Sequence, residues 1–146
     1  MSYIIPDARP IYNKIVDNIV KDGFSIEARK YLVNYLKSVN PIACDAQFSY
    51  FLTTVFVKYE GFKKAIDLPF FRQFILDAIK EVYSESFGNY ARASGMLYLT
   101  MREYKMRYGK AAFLVENFMI ILLEQFYDQV AYIYQTQKRR ENGDII

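Results

Sequence analysis

Between Phe113 and Tyr134 apolar side chains recur on more than one face of a helix, at Phe113, Leu114, Phe118, Ile121, Leu122, Phe126, Tyr127, Val130 and Tyr134. The run closes in Lys138-Arg139-Arg140, cations that suit the negative end of a helix dipole, and Asn142-Gly143 beyond them is a stop signal. Unbroken from about Ala111 to Arg140, this helix spans about 45 Å at 1.5 Å per residue. A helix apolar nearly all round is either the central helix of a domain or part of an interface between copies. Phe118 to Leu123 is too short for a membrane span, being bracketed by Glu116 and Glu124.

The rest of the chain punctuates as helices too. Pro10 suits a first helical turn, and Ile11, Ile15, Val16, Ile19 and Val20 then share one face until Asp22-Gly23. Ser25 is an N-cap candidate for a second helix carrying Leu32, Val33, Leu36 and Val39, which Asn40-Pro41 is expected to stop. A third, from about Cys44 to Tyr59, carries Phe48, Tyr50, Phe51 and Phe56 on several sides and is expected to be largely buried; Glu60-Gly61 breaks it. Asp67 and Pro69 open a fourth, with Phe70, Phe71, Phe74, Ile75, Ala78, Ile79 and Val82 in one stripe, and a turn at Ser84 to Gly88 follows. The fifth, about Asn89 to Tyr108, places Tyr90, Ser94, Leu97, Met101, Tyr104 and Tyr108 at spacings of four and three, a heptad-type seam. Ala91 and Gly95 on it would let another helix approach closely. The expected fold class is all-α: one domain over residues 1–146, a bundle of about six helices with a long C-terminal helix.

At 146 residues the chain can bury a real core, and 53% hydrophobic residues argue against intrinsic disorder. The 14 Tyr and 12 Phe, without Trp, suit a core, an interface or a stacking surface. A net charge of +3 is too mild to imply nucleic acid by itself. One cysteine excludes an intramolecular disulfide framework. The first residues, Met1 to Asp7, lack the basic start and apolar stretch of a leader, so a cytoplasmic protein is expected.

Histidine is absent, which removes the commonest general acid/base, the usual metal ligand and every Ser-His or Cys-His nucleophile. Thiol-based zinc sites and a glycine-rich phosphate loop are also missing. Glu116, Glu124 and Asp128 form the one acidic strip that a Mg²⁺ site would need, and a solvated helix face explains it more simply. Cys44 beside Asp45 has no basic neighbour in sequence and reads as an inert thiol. No cofactor is expected, and the chain reads as a non-enzyme.

What remains is electrostatic and aromatic. Arg92, Arg102, Lys105, Arg107 and Lys110 interleave with Tyr98 and Tyr108, a pattern that suits a phosphate carrying an attached base, and equally a solvated polar face. Tyr90, Leu97, Met101, Tyr104, Phe118, Ile121, Phe126 and Tyr127 are the candidate interface residues. Lys138 to Arg140 read first as a helix cap and second as a polyanion contact.

Two segments together resemble a family of short uncharacterised proteins of bacteria, prophages and phages. The matching residues are Met1, Tyr3, Ile4, Arg9, Pro10 and Tyr12 at the start, and Phe126, Tyr127, Val130, Tyr134, Lys138, Glu141, Asn142, Gly143 and Asp144 at the end. Asn89-Tyr90 is a third point of contact, and the ending Ile145-Ile146 departs from the family's Val-Tyr. The resemblance covers about half of the chain, makes residues 24–87 an insertion, and implies a helical fold in a phage or prophage setting, with no activity to carry over. The Tyr3-Ile4 arm is expected beside the Asn142-Gly143-Asp144 turn.

The leading expectation is therefore a non-enzymatic binding or interaction protein, a homo-oligomer that also engages a host or phage protein. The alternatives are a protein sequestering a small phosphorylated, nucleotide-like ligand in anti-defence, and a virion or assembly component or weak nucleic-acid binder. No membrane partner is expected.

Overall fold

A computed structural model describes residues 9–58, 68–83 and 86–141, and these form six α-helices and one 3₁₀ turn, with no strand among them. They are α1 (Arg9–Asp22), α2 (Ile26–Ser38), α3 (Pro41–Lys58), α4 (Leu68–Val82), α5 (Phe87–Tyr108) and α6 (Phe113–Glu141), the 3₁₀ turn being Gly109–Ala112. The fold is an all-α bundle. The expected break at Glu60-Gly61, the Asp67 cap, the Ser84 turn and the pairing of the Tyr3-Ile4 arm with Asn142 to Asp144 lie outside the described residues.

Local chemistry sets the helix ends. Gly23 takes φ 81°, a conformation costly for any residue with a Cβ, and its N–H donates to the Ile19 carbonyl at 2.8 Å to close α1. Ser25 Oγ accepts the Ala28 N–H at 3.2 Å and caps α2. Asn40-Pro41 works differently from the expectation. Helix α2 has already ended at Ser38, with Val39 extended, and Asn40 Oδ1 accepts the Ala43 N–H at 2.9 Å. The pair starts α3, with Pro41 at the first position, where its missing N–H costs nothing. Ser86 likewise caps α5 by accepting the Asn89 N–H at 3.1 Å, so α5 begins two residues before Asn89. Gly109, at φ 53°, caps its other end and donates to the Lys105 carbonyl.

Helix α3 is the centre of the bundle. It packs on α1, α2 and α5, and buries Phe48, Phe51, Leu52, Val55 and Phe56 together with Gln47 and Ser49. Helix α4 packs on α2 and α6, and Arg29 of α2 clamps it through Asp77 (3.3 Å) and Glu81 (3.0 Å). Phe56 stands where the layers meet: its ring lies 5.5 Å from Tyr104 of α5, 5.6 Å from Phe118 of α6 and 5.7 Å from Phe71 of α4. Each such fully buried ring contributes about 1.5–3 kcal/mol of transfer free energy. The helices of residues 24–87 are thus integral to the core, because α1 reaches the rest of the bundle through α2 and α3.

Helix α6, 29 residues long, is not the central helix. It buries Val115, Phe118, Met119, Leu122, Leu123 and Phe126, while Leu114, Ile120, Ile121, Tyr127 and Tyr132 stay exposed. No helix among the described residues is long and apolar enough to cross a membrane.

Candidate functional site

Helix α5 carries most of the candidate residues, and its neighbours divide them. Its heptad seam is buried in the chain's own fold up to its last member, Tyr108, which is exposed: Tyr90, Leu97 and Tyr104 are core residues, Ser94 is buried, and Met101 packs against the core. Phe118 and Phe126 of α6 are likewise buried, with Phe126 5.8 Å from the Tyr90 ring. Of the candidate interface set, only Ile121 and Tyr127 stand clear at the surface. A heptad pattern states that a face is covered, and here the cover is α3 and α6 of the same chain. Ala91 and Gly95 are both exposed, and a Cβ built at Gly95 meets nothing within 4 Å, so among the described residues no helix makes the close approach that the pair allows.

The basic residues do not form one patch. Arg92 turns toward α3, its Nε donating to the Asp45 carboxylate at 3.0 Å from Oδ2, and its guanidinium lies 4.8 Å from the Tyr83 ring centre. Tyr83 is buried and donates its hydroxyl to Asp45 Oδ1 at 2.7 Å; burial first, then that bond, pushes its pKa well above the usual tyrosine range. Cys44, beside this cluster, is buried and its thiol is pushed up to about 11 by burial, so its thiolate is scarce at neutral pH.

Lys105 turns the other way, to Glu116 of α6 at 3.3 Å. Tyr98 lies 6.4 Å from the ring of Tyr127, whose hydroxyl accepts from Ser94 Oγ at 3.0 Å. The Tyr98 pKa is raised chiefly by its hydrogen bond with Tyr127. Arg102 and Tyr108 are exposed, Tyr108 lying 4.4 Å from the Tyr104 ring; the Lys110 side chain, like those of Lys138 to Arg140, lies outside the described set. Among the described residues no group of three or more acidic or thiol side chains could hold a metal, and Glu116 is engaged by Lys105.

Arg107 lines a concave surface. A groove of about 160 Å³ runs between α3 and α5, with Ser49, Tyr50 and Thr53 on one side and Glu103, Tyr104 and Arg107 on the other. Ala46 and Leu99 complete its lining. Neither Glu103 nor Arg107 has an ion-pair partner among the described residues, although they stand one turn apart on the same helix. Tyr50 is anchored from behind by Tyr12, 5.6 Å away, and the buried Tyr12 hydroxyl donates to Gln47 Oε1 at 2.7 Å. Sequence reasoning found Arg107 but missed Glu103, Ser49, Tyr50 and Thr53. The Glu103–Arg107 spacing was visible, whereas the contribution of α3 depends on which helix packs there. No family model, no curated protein and no solved structure matches the chain.

Proposed function

We propose that the chain is a non-enzymatic interaction protein that pairs with a second copy of itself across the outer face of α5 and α6. One observation supports this most: the arrangement of charge on that face. The two helices run antiparallel, since Lys105 meets Glu116 while Tyr98 and Tyr90 meet Tyr127 and Phe126. Exposed Arg102 therefore lies toward one end of the face, and exposed Glu124 and Asp128 toward the other. Between them stand Tyr98, Ile120, Ile121 and Tyr127, each 42–45% exposed. A two-fold rotation through the middle lays the basic end of one copy on the acidic end of the other and apolar side chains on apolar ones, which is what an isologous interface requires. In the phage or prophage setting that the family resemblance implies, such a dimer would serve in assembly or act on a host protein.

Sedimentation velocity at micromolar concentration tests the proposal. A dimer that Ile120→Glu converts to monomer, with helical content unchanged, is the expected result. A monomer at every concentration contradicts it, as does a dimer indifferent to Ile120→Glu and to Arg102→Glu. Arg92 is held by Asp45 and Lys105 by Glu116, while Arg107 lines the α3–α5 groove, an arrangement that favours self-association over the nucleotide-sequestering alternative.

A further inference from the structure

We propose that the α3–α5 groove binds a free α-amino acid with an apolar side chain. The groove's hydrogen-bonding capacity and its size carry this assignment, independently of self-association. Buried Thr100 stands between Ser49 Oγ (2.7 Å) and the Met96 carbonyl (2.8 Å). A hydroxyl has a single proton. With Thr100's on the carbonyl, Ser49 gives its own to Thr100, the assignment that satisfies both, since Ser49 has no other acceptor among the described residues. Thr53 gives its proton to the Ser49 carbonyl at 3.1 Å. The hydroxyl oxygens of Ser49 and Thr53, two residues that line the groove, are then left as acceptors.

Glu103 adds a carboxylate to these acceptors, and Arg107 supplies the planar donor fork. Three acceptors match the three protons of an ammonium, and the guanidinium matches a carboxylate. The space is side-chain sized: a cavity of about 150 Å³ holds benzene. It is too small to enclose a nucleotide. One tyrosine ring from each helix, Tyr50 and Tyr104, gives an apolar side chain its walls.

Isothermal titration with L-phenylalanine and L-leucine, beside N-acetyl-L-phenylalanine and L-phenylalaninamide, tests this on the whole chain. The free amino acids should bind at about millimolar affinity or tighter, and each blocked analogue should bind about tenfold more weakly. Arg107→Ala should remove the preference for a free carboxylate but leave that for the ammonium, and Glu103→Gln should do the reverse. Both positions are on the surface of α5, so circular dichroism should be unchanged. No heat from either amino acid at about 10 mM, or equal binding of the blocked analogues, would overturn the proposal.

Discussion

The two flanks of α5 are built from the same residue types and end differently. Toward α6 the polar side chains at the helix contact find partners: Lys105 pairs with Glu116, and Ser94 bonds Tyr127. Toward α3 the upper turns are also closed, by Arg92 on Asp45, but the last turns open into a groove where Glu103 and Arg107 are left over. Satisfied polar pairs tie helices together. Unsatisfied ones beside a concavity are where a ligand gains most, because their desolvation is compensated only when it arrives. One helix thus presents a closed flank under a broad face suited to a protein, and an open flank suited to a small molecule.

The largest effect should come from the ring on which the α3 flank rests. Phe56→Ala removes contacts to Tyr104, Phe118 and Phe71 at once and should cost about 3–5 kcal/mol in urea unfolding. A loss under about 1 kcal/mol would mean that α5 is held mainly from the α6 side.

Alkaline pH probes the closed clusters. Tyr12, Tyr83 and Cys44 all have pKa values raised by burial, Cys44 from near 9 to about 11. The unfolded chain releases these protons first. Their contribution is therefore complete below about pH 9 and is lost as pH rises through the folded values, Cys44 alone accounting for about 2–3 kcal/mol between pH 9 and 11. Urea midpoints at pH 7, 9 and 10.5 measure the fall, and a flat profile to pH 10.5 would show that the clusters open readily to water.

Gly95→Ala gives the smallest change, and its sign is informative. Nothing lies within 4 Å of the new Cβ, so the isolated helix should gain about 0.5–1 kcal/mol. Gly95 is close to Tyr98, one turn earlier on α5, so the same methyl should weaken pairing between copies. Higher thermal stability in dilute solution with weaker self-association is the expected combination. Stabilisation without any change in association would place the contact elsewhere.

What the sequence made legible was local. Gly23, Ser25 and the Tyr90-to-Tyr104 seam each act through residues within a turn or two, so spacing reveals them. Pro41 was read as a stop where it is a start, because a proline after asparagine serves both an end and a capped first turn. The seam's burial was legible, but not the fact that the cover comes from α3 and α6, since periodicity marks a covered face without naming the cover. Glu103 and Arg107 were visible as neighbours; the Ser49 and Thr53 acceptors opposite them follow only from the packing of α3 on α5.

Native mass spectrometry of gently purified protein at micromolar concentration tests the proposed pairing most directly. The α5–α6 face predicts a dimer that Arg102→Glu dissociates and that a second change, Glu124→Arg, restores by reversing the charges at both ends. A monomer throughout, or a dimer unmoved by either change, would contradict it.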